Sequence, residues 1–437
     1  MTLALEIVFW VSCALIVWTQ VGYALALAGI ARMLPRAASG PRERTRRSDL
    51  DPRPAHPAGA SETTLSQPSL PALSLIIAAH DEQTVITAKV HNALALDYPR
   101  ELLEVIVACD GCSDETAARA REAGADLVLE LPRGGKIRAQ DAAVQKSRGE
   151  IVAFSDANAQ WEPDAAQILV GAFEDPRVGY ACGQVRFVRA TGAAGSGTVD
   201  EGDQMDASAQ NDAGARADAG APNQEGVYWR YEMVVRALES RLSSITAGNG
   251  AIYATRRASY IVVDPIMGHD LSLPFNMVKR GLRAVYVPDA RAEEKMVPSL
   301  AGEFARKRRM MSHTWPIVLR GGMLSPRGYP PGYALMILSH RLLRYSTAAL
   351  HAVALAANIA LVALGGGGEG GGRVLYLVTL DLQIALLLAA ALAGVLSIRP
   401  LLIARYYVLT TASLAAGWWD WVRRGTDATW EAAEGTR

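Results

Sequence analysis

The chain has 437 residues, half of them hydrophobic, with 44 Lys and Arg against 44 Asp and Glu. That length exceeds one ordinary domain and predicts about two or three units. Zero net charge excludes a generally basic nucleic-acid binder, and the apolar residues gather at the two ends of the chain.

From Leu3 to Ile30 nearly every residue is apolar, and no basic residue appears before Arg32. At ~20 residues per bilayer crossing this is long enough to span, and it lacks the basic start of a cleaved signal. We therefore expect an N-terminal transmembrane helix over 1–32. Seven arginines follow, from Arg32 to Arg53. Their chemistry suits a cytoplasmic, lipid-facing topology signal better than a nucleic-acid site. Residues 33–71 are Pro-rich, basic and without hydrophobic period, so they read as a flexible linker.

A soluble domain is expected over 72–330. Strands are predicted at Leu73–Ala79, Leu102–Cys109, Asp126–Leu131 and Ile151–Ser155, with helical patterns in the 80–97, Glu115–Ala123 and Gly135–Ser147 intervals. Such alternation predicts an α/β fold with a mostly parallel sheet covered by helices on both faces. After Val185–Val188, residues 190–225 are small and polar, and we expect a disordered insertion. The pattern resumes with a helix at Tyr228–Leu242, the turn AGNGA, short strands at Ile252–Ala254 and Ala284–Val287, a helix running to Lys279, and a basic helix at Glu303–Ser312. Residues 331–345 mix charge with aliphatics, as an interfacial helix does. The 346–424 region predicts two or three transmembrane helices, from Ser346–Leu364, Val374–Leu396 and the ambiguous Leu401–Trp419, and 425–437 is a tail.

Two strand endings carry the chemistry. VIVACDGCSD (105–114) and IVAFSDANAQW (151–161) are β-branched and aliphatic runs that stop at Asp, Asn, Gly and Ser. Parallel strands deliver such residues to the ligand-binding edge of the sheet, so Asp110, Asp156 and Asn158 are expected to share a site. Asp156 and Asn158 lie two apart, and their oxygens suit a hard divalent cation, Mg2+ or Mn2+, shared with substrate phosphates. Lys136 follows Gly134-Gly135 at a helix start, where an anion is favoured. Each Asp alone is as good a helix N-cap; the pair of endings with Gly-Gly-Lys favours a site. Cys109 and Cys112 form a C-x-x-C that could be a redox pair or half a zinc site. No second C-x-x-C or His pair has ligand spacing, so two reduced cytosolic thiols is the reading adopted.

The order AAHDE, ACDGCSDET, GGKIRAQDA, FSDAN, AGNGAIYATRR, GHD, GLRAVYVPDA and FARKRRM resembles the membrane-bound, processive-type, inverting family 2 glycosyltransferases. That group contains the cellulose, hyaluronan and poly-N-acetylglucosamine synthases. The resemblance runs from about Leu73 to the C-terminus. It implies a GT-A-type nucleotide-sugar-binding domain in the cytoplasm, held in the cell membrane by helices before and after it. It implies further that Glu82, Asp110, Lys136 and Asp156 bind the donor nucleotide, that Asp156 and Asn158 stand at the metal-binding D-x-D, and that Asp270 is the general base. Asn249, His269, Arg306 and Arg309 fall at acceptor or diphosphate positions. The implied partners are a nucleotide sugar, with UDP as the expected nucleotide, a glycan or lipid-linked acceptor, membrane lipids and an accessory membrane or export protein, and no nucleic acid.

Three departures qualify this. Asn158 replaces the second Asp of D-x-D, which removes one charge and keeps an oxygen ligand. His269 replaces the Glu that precedes the base. In FARKRRM, where polymerases carry Q-x-x-R-W, only Arg309 matches, and Met310 stands in place of the stacking Trp. The last change questions processive synthesis and raises single transfer to a lipid-linked acceptor as the alternative. The first two keep a catalytically inactive nucleotide-sugar binder in contention. A Rossmann oxidoreductase is disfavoured, because no G-x-G-x-x-G follows the first strand.

Overall fold

A computed structural model of the chain describes residues 2–34, 70–188, 221–295, 300–367, 372–396 and 398–428. The expected linker and most of the expected disordered insertion lie outside the described residues. Eight strands form one sheet in the order β3-β2-β1-β4-β7-β6-β8-β5. These are β1 (Leu73–Ala79), β2 (Leu103–Asp110), β3 (Leu127–Leu131), β4 (Ile151–Asp156), β5 (Gln160–Trp161), β6 (Val178–Val188), β7 (Tyr253–Arg256) and β8 (Arg283–Lys295).

The strands β3, β2, β1 and β4 run parallel, and β1 and β2 are buried along their whole length. A run such as LSLIIAA, aliphatic but for Ser74, suits that central position, because both of its faces pack against helices. Leu73, Leu75 and Ile77 point to one core, shared with Val90, Ala166 and Leu169. Ile76 points to the other, with Ala139, Ala143, Phe154, Tyr253 and Met277. The helices that supply these layers are α2 (Ile86–Leu94), α3 (Thr116–Glu122), α4 (Lys136–Lys146), α5 (Ala165–Gly171), α6 (Ala221–Leu242) and α7 (His269–Lys279). Beyond β4, the strand β7 is antiparallel to both β4 and β6, whereas β6 and β8 pair in parallel. β1 has β2 on one side and β4 on the other, so the chain reverses its winding there and opens a crevice at the strand ends.

Three elements differ from the sequence expectation. β6 begins at Val178, seven residues before the expected Val185, and β8 continues to Lys295 past Pro288 and Asp289. The two strands stay paired across that interruption by a register shift between Cys182 and Gln184. Gly183 permits the close approach, because a Cβ there would lie 2.2 Å from the Ala290 carbonyl oxygen. α6 begins at Ala221, so residues 221–225 are helical and not part of a disordered insertion; Pro222 in the first turn costs no helical hydrogen bond.

The remaining helices are α1 (Thr2–Met33, with a π turn at Trp18–Gly22), α8 (Leu300–Leu319), α9 (Pro331–Leu343), α10 (Thr347–Ala363), α11 (Arg373–Leu392) and α12 (Arg399–Arg424). Among the described residues, α1 and α11 are long and apolar enough to cross a membrane. α9 and α10 meet that standard only as one pair, bent by 65°. α12, with Arg405, Asp420, Arg423 and Arg424, does not meet it; it lies along α8, where Arg308 forks onto Asp420 at 2.5 and 2.7 Å. A buried polar knot ties the sheet domain to α1 and α9. Glu239 of α6 accepts from Tyr23 (2.7 Å) and from the Thr246 backbone (3.0 Å) and lies 2.7 Å from His340 Nδ1.

Candidate active site

The crevice beside β1 gathers four charged side chains from separate elements. Asp156 ends β4, opposite Ala78 of β1, and is followed by a tight turn in which Ala159 N donates to the Asp156 carbonyl at 3.2 Å. Lys136, the first residue of α4, makes a very short ion pair with Asp156 Oδ1. Asp270 sits in the first turn of α7, where the helix N-terminus favours a carboxylate. Glu294 comes from the far end of β8. Burial alone would depress the Lys136 ammonium, but Asp156, Asp270 and Glu294 together hold it above its ordinary pKa. Burial raises the Asp270 carboxyl above the usual range, and Lys136 partly offsets this. Glu294 is pushed up to about 7, first by burial and then by Asp156. The crevice thus mixes a permanent cation with carboxylates that differ in proton affinity, an arrangement suited to charge neutralisation and proton transfer.

Glycines give this cluster its room. A Cβ on Gly250 would lie 3.4 Å from both Asp156 Oδ2 and Lys136 Nζ. A Cβ on Gly268 would lie 2.6 Å from Asp270 Oδ1. Asp156 and Asn158 offer carboxylate and carboxamide oxygens on one turn, a donor set that fits a hard divalent cation. Nitrogen and sulfur ligands are not needed there.

Several predicted site residues have a structural task in this arrangement. Asp110 is 1 % exposed, and its carboxylate accepts the Gly134 and Gly135 backbone N–H groups at 2.6 and 2.9 Å, which fixes the turn that presents Lys136. Glu82 is buried on the loop after β1, with its backbone N–H on the Thr116 hydroxyl at 2.8 Å. Asn249 was expected at the acceptor, but its amide is used to build its own turn. It donates to Gly183 O at 2.7 Å and accepts from Ala251 and Ile252 N–H at 3.1 and 2.9 Å.

His269 requires a correction too. Its ring is 2 % exposed and turned into the core rather than the crevice, because Phe154, Tyr253 and Tyr260 offer an aromatic pocket beneath α7. Tyr260 donates its proton to Asp141 at 2.6 Å, so it accepts from His269 Nε2 at 3.2 Å, and Nδ1 accepts from Tyr253 at 3.0 Å. Burial, with Lys136 nearby, holds this histidine down to about 3, so it is neutral throughout the physiological range. Arg306 forks onto Glu303 of its own helix at 2.7 and 2.9 Å, while Arg309 is exposed on α8.

The sequence reading omitted Glu294 and Lys89. Glu294 was hidden because β8 was cut short at Val287, although the doubled Glu in ARAEEKM marks a strand end. Lys89 lies on α2 with no exposed surface, 5.5 Å from the Trp161 ring, and its only helical signal was that of a solvated lysine. A further contact comes from the C-terminus. Thr426 Oγ1 donates to Ser312 O at 2.7 Å, and Ala428 packs so closely on Gly135 that a Cβ there would lie 2.1 Å from the Ala428 oxygen.

A model of the glycosyltransferase-like family 2 matches residues 71–312, more than half of the chain. The chain is 35% identical over 120 residues to a beta-monoglucosyldiacylglycerol synthase of Trichormus variabilis, covering 26% of either protein. It is 27% identical over 253 residues to an N-acetylglucosaminyltransferase of Rhizobium meliloti, covering 54% of this chain and 53% of that one. The chain thus spans between a quarter and about half of the length of these curated relatives. Among solved structures, a mannosyltransferase from Pyrobaculum calidifontis, in complex with GDP-Man and Mn2+, aligns over 96% of this chain and 99% of that one. The TM-score is 0.62 at 20% identity, a likeness of fold.

Proposed function

Because the chain belongs to the family 2 glycosyltransferases, we propose that it transfers a sugar, with inversion, from a nucleotide-sugar donor to a membrane-associated acceptor. The observation that carries this reading is Lys136, which links Asp156 at the end of β4 to Asp270 at the start of α7. A UDP-sugar is the donor we expect, its diphosphate lying along the strand ends with Lys136 as a fixed cation. Asp156 and Asn158 would hold Mg2+ or Mn2+, whose contribution is to neutralise the leaving nucleotide diphosphate.

Asp270 then acts on the acceptor. Its carboxylate takes the hydroxyl proton while the acceptor oxygen forms its bond to the anomeric carbon, and the bond from that carbon to the diphosphate oxygen breaks with its electron pair. One displacement of this kind inverts the anomeric centre. A buried carboxylate with a raised pKa is the stronger base for this task, and the Lys136 charge partly offsets the rise. With α1 as an N-terminal span, the arginines after it favour a cytoplasmic sheet domain, beside a lipid surface from which an acceptor would enter.

Polysaccharide synthesis is one use of this chemistry. Met310, 48 % exposed where polymerases carry a stacking indole, favours a second reading, a single transfer to a lipid-linked acceptor. Membranes containing the full chain, given Mg2+ or Mn2+ and radiolabelled nucleotide sugars, test both. A labelled product of one sugar on a lipid supports the second reading, and a ladder of products removes it. Nucleotide binding without turnover of any donor would refute the enzymatic reading.

A further inference from the structure

The C-x-x-C of β2 finds across the sheet the partners that its sequence spacing lacked. Cys112 Sγ, a carboxylate oxygen of Asp81 and an imidazole nitrogen of His80 all lie within 4.8 Å of one another, and all three residues are half-buried. His80 and Asp81 come from the loop after β1, while Cys112 comes from the loop after β2, two neighbouring parallel strands that pair Ala79 with Cys109. We propose that these three side chains form a second metal site, for a thiophilic divalent cation of the Zn2+ class, distinct from the oxygen-donor pair Asp156 and Asn158.

Three observations support it. His80 Nδ1 lies 2.8 Å from the Asp110 carbonyl oxygen, which can only accept, so Nδ1 carries the proton and Nε2 the lone pair. That outer hydrogen bond to a main-chain carbonyl is the usual orienting contact of a metal-binding histidine. Nε2 in turn faces Asp81 Oδ2 at 3.6 Å. Asp81 is itself held in place: Ser113 N donates to Oδ1 at 2.8 Å, and the Ser113 hydroxyl lies 3.3 Å from both carboxylate oxygens. It is the sole non-glycine residue with positive φ among the described residues, at +52°, a strained backbone that a merely solvated aspartate does not need. Cys112 Sγ lies 3.5 Å from the Ala79 carbonyl, so the thiol is drawn to the same edge. One nitrogen, one oxygen and one sulfur suit zinc chemistry, whereas a hard cation would prefer oxygens alone.

Glu82 and Asp110, the residues flanking the cluster, stand at the donor end of the sheet. On the donor-site reading given above, a cation bound here and a nucleotide exclude one another. Binding of Co2+ to the detergent-solubilised full chain tests the site without any turnover, so its failure is separate from a failure of the glycosyltransferase reading. Expected is a thiolate-to-cobalt band in the near ultraviolet that saturates at one equivalent of Co2+ per chain and is displaced by Zn2+. The band is lost in Cys112→Ser and in Asp81→Asn and retained in Asp156→Asn. In the unaltered chain, Zn2+ should slow alkylation of Cys112 by at least tenfold, a measurement that needs no variant. Absence of the band, or its survival in Cys112→Ser, overturns the site. A band that UDP does not diminish overturns the competition.

Discussion

Lys89 offers the most quantitative test of how the crevice is built. The side chain has no exposed surface, its nearest hydrogen-bond acceptor is Asn92 Oδ1 at 3.5 Å, and burial brings its pKa from 10.5 down to about 7 despite Asp156 and Glu294. At about 1.4 kcal/mol per pH unit, placing Lys89 here costs roughly 5 kcal/mol below pH 7, where the ammonium is retained, and about 3 kcal/mol at pH 8, where its proton is given up. The folded state binds fewer protons than the unfolded chain between pH 7 and 10.5, so stability rises across that interval and is lost as pH falls through 7. Lys89→Met keeps the aliphatic stem against Trp161 and removes the charge. We expect a gain of about 2–4 kcal/mol at pH 6, or roughly 5–10 °C in Tm for a domain of this size. The gain should shrink steadily towards pH 10. Tryptophan fluorescence during thermal unfolding in detergent, at pH 6, 8 and 9.5, measures both quantities. A variant less stable than its parent at pH 6, or a gain independent of pH, would refute the reasoning.

Other perturbations read the remaining groups. Asp270→Asn should lower transfer by about 10²–10⁴-fold and leave nucleotide affinity within a few-fold, as radiolabel transfer and equilibrium dialysis would record. Glu294→Gln removes a group titrating near 7 beside Asp156, so the pH–rate profile should lose an inflection in that region; an unchanged profile would separate Glu294 from the site. Gly135→Ala meets both the Ala428 oxygen and a φ of +96°, so donor affinity should fall by tenfold or more in a nucleotide-binding assay while the fold persists. Arg308→Ala and Asp420→Asn should each loosen α12 on α8, and the double variant should be no worse than either in thermal unfolding, because the half-buried fork acts as one unit.

Much of this was legible in the residues themselves. The strands β1, β2 and β4 were readable because central parallel strands are mostly apolar, so LSLIIAA, LEVIVACD and IVAFSD differ sharply from what surrounds them. Their endings located Asp110 and Asp156 for the same reason. β6 and β8 were harder. They carry small residues, a glycine and a proline at the point where they shift register, and a sequence window sees only an interruption. Individual roles were harder still: Asp110 and Asn249 have the residue types of ligand contacts, yet both bond to nearby backbone. Side-chain chemistry says what a residue is able to bind, and only the fold says which partner arrives first. His269 illustrates the point, since the rings that pack around it, Tyr253 and Tyr260, are placed by β7 and the loop after it.

The contact between Ala428 and Gly135 bears on how the protein should be handled at the bench. Arg437 stands nine residues beyond Ala428, and a chain of that length reaches at most about 30 Å. An affinity handle or fluorescent fusion added after Arg437 is therefore tethered within reach of the turn that presents Lys136. It would lower apparent donor affinity for reasons unrelated to the enzyme's own chemistry. A handle placed before Thr2, at the far end of α1, avoids this. Conversely, a small dye attached at position 428 would sit beside Gly135 and report any movement of the turn that presents Lys136.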